Sequence, residues 1–113
     1  MSQTHESATL DSMFDALCHP YRRRVLLELL KQDQVKTPEF IHETVDAVSL
    51  ESTTPERLKV DLHHVHLPKL ASKGYIDWTP ETKLVQRGPN LDEITPLIKL
   101  IDSHADKLPA DWP

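Results

Sequence analysis

The chain has 113 residues, 18 of them acidic and 13 basic, for a net charge of −5. A length of this order gives one domain with a modest core. No apolar run is long enough to cross a bilayer, and the polar stretch 1–7 lacks the apolar segment of a signal peptide. The single cysteine, Cys18, excludes an internal disulfide. Together these set the expectation of a cytoplasmic protein. The negative balance argues against nucleic acid, because phosphate attraction needs a basic footprint. It also fits a solvated acidic surface that aids solubility, or a halophile's surface. The local balance differs: from 57 to 73 the chain carries Arg57, Lys59, Lys69 and Lys73 against Asp61, a charge of +3 before any histidine is protonated.

In chain order, residues 1–9 read as a disordered tail. Asp11 is placed to cap a short helix with Met13, Phe14 and Leu17 on one face. Pro20 opens a second helix, 21–32, whose Val25, Leu26, Leu29 and Leu30 recur at helical spacing. Arg22, Arg23 and Arg24 crowd its first turn, where cations oppose the helix dipole. They are read either as phosphate contacts or as solvated side chains. Residues 31–36 read as a polar connection. Thr37 and Pro38 start a third helix with Phe40, Ile41, Val45 and Val48 as its stripe, and 49–53 form the next turn.

Thr54 and Pro55 repeat the cap-then-proline device and open a fourth helix, 55–73, which Gly74 ends in the left-handed conformation. Pro68 removes the bond to the His64 carbonyl, so a kink is expected near His64. The apolar residues of this helix fall into two sets at 3.6-residue spacing. Leu58, Leu62 and Val65 lie on one side; Val60, Leu67, Leu70 and Ala71 lie on the other. A hairpin over 75–87 follows, with its turn at Pro80, Glu81 and Thr82. Gly88, Pro89 and Asn90 break the chain. A final helix over 89–108 carries Leu91, Ile94, Leu97, Ile98, Ile101, Ala105 and Leu108, with Pro96 either near its start or kinking it. Residues 109–113 read as a frayed end. The fold class expected is mostly α with a β-hairpin, an α+β domain in which a helix followed by a two-stranded wing marks a winged helix-turn-helix over 10–88.

The segment Ala16-Leu17-Cys18-His19-Pro20-Tyr21-Arg22-Arg23-Arg24-Val25-Leu26 is similar to the opening of ArsR-type winged-helix regulators. Leu62-His63-His64-Val65-His66-Leu67-Pro68-Lys69-Leu70-Ala71, with its Gly74-Tyr75-Ile76 exit, resembles more closely a group of small haloarchaeal winged-helix proteins. The resemblance runs from about Leu10 to Arg87. It implies a transcription regulator in which helix 55–73 is the recognition helix, the helix bearing Phe40 and Val48 positions it, and 75–87 is the wing. It also implies that the terminal helix is where two copies pair. Two features depart from the pattern: the turn before the fourth helix is longer than usual, and Leu58, Leu62 and Val65 fall where DNA should lie. Either the long turn and terminal helix cover those three residues, or they form a contact for a protein partner.

The expected DNA-contact set is Arg22, Arg23, Arg24, Lys59, His66, Lys69 and Lys73, with Lys83 and Arg87 on the wing. The partners expected are double-stranded DNA and a second copy, the dimer interface being Leu91, Ile94, Leu97, Ile98 and Ile101. The alternative is a winged-helix protein-interaction module that touches no DNA. His63 and His66 stand at a spacing that can share an ion, but no second cysteine or acidic ligand stands at metal spacing, and no metal or cofactor is expected. Cys18 reads as a buried small apolar residue, with a redox-sensitive thiol as the alternative. The sequence contains no phosphate loop, metalloprotease pattern, nucleophile elbow or paired carboxylates in an apolar setting. An enzyme is not expected.

Overall fold

The computed structural model describes residues 9–47 and 54–113. The expectations for 1–8, for Val48 and for the turn at 49–53 lie outside the described residues. Helix α1 spans Leu10–Leu17 and is capped by Thr9, whose Oγ1 accepts the Ser12 N–H at 3.0 Å. Asp11, expected as the cap, instead lies in the first turn, where its charge favours the dipole. Helix α2 spans Pro20–Lys31. His19 caps it through Nδ1, which accepts the Tyr21 N–H at 3.1 Å, and Pro20 occupies the first turn, where a missing N–H costs no bond.

The stretch read as a polar connection contains a strand, β1, Gln34–Lys36. Three residues are too short to register as alternation; Val35 alone turns inward, and pairing with a distant strand makes the element. Helix α3, Thr37–Ala47, buries Phe40 and Thr44. The hairpin strands are β2, Ile76–Asp77, and β3, Leu84–Arg87. The sheet order is β1–β3–β2, antiparallel throughout, with Val35 opposite Val85 and Ile76 opposite Arg87. The architecture is therefore α+β: a set of helices around a small three-stranded antiparallel sheet. The two glycines approach each other closely. Gly74 has φ of 80°, the left-handed region that glycine adopts freely. Gly88 donates its N–H to the Tyr75 carbonyl at 3.0 Å, and a Cβ on Gly88 would fall 2.4 Å from the Gly74 oxygen.

The fourth helix runs in three pieces: α4, Pro55–Asp61, a π turn over Leu62–His66, and α5, Leu67–Ser72. The expected kink at Pro68 takes the form of this π turn. Pro68 cannot donate to His64, and the Leu67 N–H reaches back five residues to the Leu62 carbonyl. The wider turn rotates everything after it backward by about one residue. In an unbroken α-helix Leu67 stands about 180° from Leu58; after a π turn it stands about 80° away, and Leu70 nearly above Leu58. The two sets expected on opposite sides thus enter one core: Leu58, Leu62 and Leu70 are fully buried and Leu67 is 1% exposed. Val60 and Val65 remain outside at 51% and 48%.

Helix α6 spans Leu91–Asp102, with Pro96 inside it, and stops short of Leu108; a 3₁₀ turn, Ala105–Lys107, follows. Leu91, Ile94 and Ile98, expected at a dimer interface, are buried in the chain's own core, while Leu97 and Ile101 are half-buried against it. The segment 109–113, expected to fray, turns back on the body. The Trp112 indole N–H donates to Asp102 Oδ1 at 3.1 Å, and Arg23 stacks 5.7 Å from its ring centre.

Candidate nucleic-acid interface

The three arginines of α2 have a structural assignment that their position obscured. The last carbonyls of an α-helix lack donors, and here α1 ends against α2. Arg22 Nε donates to the Ala16 carbonyl at 3.0 Å and Nη2 to the Asp15 carbonyl at 2.8 Å; Arg23 Nη1 donates to the Leu17 carbonyl at 2.9 Å. The cations that oppose the dipole of their own helix complete the negative end of its neighbour. Arg22 is 4% exposed, so its guanidinium cannot meet a phosphate. Arg23 lies half-buried beneath Trp112, and Arg24 is half-buried.

His66, expected on the outward arc, is also buried, at 5%. Its Nδ1 lies 2.9 Å from Arg22 Nη1. Because a guanidinium only donates, that nitrogen accepts, and the ring proton sits on Nε2. The ring lies 4.0 Å from that of His19 and edge-on to Tyr21. Burial, reinforced by His19 and Arg22, pulls its pKa from 6.5 to about 4. Burial is also the main cause that lowers His19 and raises Tyr21.

Lys69 and Lys73 turn toward α1, onto Asp15. Their ammonium groups lie 2.8 and 3.3 Å from Asp15 Oδ2, and the Lys69 bond is the main cause of the lowered Asp15 pKa. Lys73 also donates to Ser12 Oγ at 3.0 Å and is 4% exposed, which removes it from any outside contact. On the hairpin, Arg87 donates to the Leu29 carbonyl at 2.7 Å and approaches Asp33 at 3.7 Å. Of the basic residues expected to contact DNA, Arg22 and Lys73 are therefore absent from the surface, while Lys69 and Arg87 stay partly exposed beside their acidic partners. Together the four side chains connect α1, α2, α5 and β3.

Two exposed cations share a groove elsewhere. Lys59 and Lys83 are exposed and make no ion pair among the described residues. They line a groove of about 560 Å³ between the start of α4 and the hairpin, walled by Pro38, Pro55 and Pro80. His63 lies in the same groove. Its Nδ1 is 2.9 Å from the Lys59 carbonyl, a contact in which Nδ1 carries the proton, and its ring meets Trp78 edge-on. A second hollow of about 590 Å³ continues the groove along the helix past Val60 and His64. Glu56 and Glu81 also line the groove and offset the two lysines.

The π turn separates His63 from His66, one in the groove and one in the core, so the spacing that suggested a shared ion does not bring them together. Among the described residues no three His, Cys, Asp or Glu side chains are grouped to hold a metal. Cys18, expected inside, is exposed; its thiol donates to the Asp15 carbonyl at 3.1 Å and accepts from Arg22 Nη2 at 3.1 Å. Leu58 and Leu62, offered as a partner surface, are core. Asp15 escaped notice in the sequence, though an acidic residue in the last turn of a helix, where the dipole disfavours it, was a signal that a cation would answer it. No described helix is long and apolar enough to cross a membrane.

One family matches the chain, over residues 14–86: Domain of unknown function (DUF7344). No curated protein and no solved structure matches it.

Proposed function

The chain belongs to the DUF7344 family, and we propose that it is a winged-helix transcription regulator that binds double-stranded DNA. The element order supports this reading: two helices, a strand, two further helical elements, a hairpin that pairs with the first strand, then a helix. In a winged helix that order sets the recognition helix beside the wing. The contact set is narrower than the sequence implied. Lys59, His63 and His64 on the open face of the helix, Lys83 on the hairpin and the half-exposed Lys69 are its members. Arg22, His66 and Lys73 belong to the fold instead.

The observation that carries the reading is the pair of lysines, one on the helix and one on the hairpin, that line a single groove and make no ion pair among the described residues. Glu56 and Glu81 keep the attraction modest. Three phosphate contacts give a slope of log affinity against log salt of about −2.7. The test is fluorescence anisotropy with duplex DNA across a salt series. Lys59→Glu with Lys83→Glu abolishes binding if the reading holds; binding unchanged by the pair refutes it.

A homodimer is part of the proposal, now through Leu97, Leu100 and Ile101, since Leu100 is 61% exposed and the inner residues of α6 already have partners. Sedimentation giving a monomer at micromolar concentration refutes that part. A second reading, a protein-interaction module, is favoured by the exposed Val60 and Val65 on the same open face. It predicts that the lysine reversals leave partner capture intact and that Val60→Glu with Val65→Glu abolishes it.

A further inference from the structure

The Arg22 side chain bridges two parts of the molecule that are far apart in sequence. On one side it fills the carbonyls that end α1; on the other it reaches the last residue of the π turn. The π turn decides how the helix is rotated about its axis. His66 there meets Arg22 of α2, and Lys73 at the end of the following helix meets Asp15 of α1. In an unbroken α-helix His66 would stand about 100° further round, beyond the reach of Arg22. The Arg22–His66 bond therefore exists only with the π turn in place, and breaking it leaves a buried ring nitrogen without a donor, flanked by His19 and Tyr21.

We propose that Arg22 is a positioning residue: by donating to His66 it holds the π turn and so sets the direction in which Lys59, His63 and His64 face outward. The binding consequence rests on the DNA reading above, while the structural consequence does not.

Two substitutions separate the roles. His66→Asn keeps an acceptor where Nδ1 stands; His66→Leu fills similar space without one. With both variants folded, amide shifts over residues 59–65 are expected to stay near wild type in His66→Asn and to move in His66→Leu. Duplex affinity should stay within about twofold in the first and fall about tenfold in the second, as loss of a charge-assisted hydrogen bond implies. The salt slope stays that of wild type in both, because no phosphate contact is lost.

Equal behaviour of the two variants overturns the proposal, as does a shallower salt slope, which would mark His66 as a direct contact. If wild type binds no duplex, the DNA reading fails and the amide shifts alone decide this one. If His66→Leu does not fold, the wild-type histidine ¹⁵N spectrum decides: a proton on Nε2 of His66 at neutral pH supports the bond, and a proton on Nδ1 overturns it.

Discussion

Truncating Leu62 to alanine tests the π turn at the residue that opens it. Leu62 is fully buried, as is Leu58 one turn earlier, while Val60 and Val65 on the same stretch are about half exposed. Removing three buried carbons from a packed site costs the transfer free energy and leaves a cavity, about 2–5 kcal/mol together. Val60→Ala and Val65→Ala remove atoms already largely in water and stay within about 0.5 kcal/mol. With a urea slope of about 1.2–1.5 kcal/mol/M, typical for this size, Leu62→Ala lowers the unfolding midpoint by about 1.3–4 M. The valine variants move it by less than about 0.4 M. The assay is urea unfolding followed by circular dichroism and by tryptophan fluorescence, with coincident transitions required. If the helix were α throughout, Leu58 with Leu62 and Leu67 with Leu70 could not all be inside. One of Leu58→Ala and Leu67→Ala, about 180° apart on such a helix, would then be nearly silent, and that result would refute the packing argued here.

Acidification should weaken the fold through His66. Its folded pKa of about 4 lies below the ordinary 6.5, so the unfolded chain takes up the proton first as pH falls. The stability it supports is complete above pH 6.5 and is lost progressively toward pH 4, approaching roughly 3 kcal/mol. His19 acts in the same direction, and Asp15, with its pKa lowered from 3.8, adds its loss only in stronger acid. Urea midpoints between pH 7.5 and 4.5 should fall in wild type and flatten in His66→Asn; parallel curves count against the burial of that ring. Gly88→Ala drives a methyl to within 2.4–2.7 Å of backbone atoms of Gly74, Ile76 and Tyr75. It should lower the melting temperature by more than about 10 °C, and a loss of only a few degrees would mean that the two glycine turns do not pack as described. Trp112→Ala uncovers Arg23 and frees Asp102, and should cost about 0.5–1 kcal/mol; no change in the thermal midpoint would mean that the folded-back segment adds nothing to stability.

Periodicity and punctuation carried most of the helices into view. Thr54 before Pro55, Gly74 after a long apolar run and the hairpin around Pro80 are local signals, and local physics decides them. β1 was illegible because three residues offer no period; only Val85, fifty positions away, makes Val35 a strand residue. The inside and outside of the fourth helix were misread for a specific reason. A fixed 3.6-residue period cannot accommodate one added residue, although Pro68 had already marked the place where the ladder fails. The charged residues were the least legible. Arg22, Arg23, His66 and Lys73 have the composition of a phosphate-binding set, and only tertiary contacts reveal their partners: α1 supplies three carbonyl-end acceptors to the two arginines and the Asp15 carboxylate to Lys73, and Arg22 itself donates to His66. Lys59 and Lys83, in contrast, were readable as surface cations and remain so.

The narrowed contact set turns the proposal into a direct question about the cell. The decisive measurement is the genome-wide occupancy of the tagged protein beside that of its Lys59→Glu, Lys83→Glu variant, at matched expression. Discrete peaks sharing a sequence, present in wild type and gone in the variant, are what a DNA-binding role predicts. A wild-type profile no different from input, or peaks that survive both charge reversals, would contradict it.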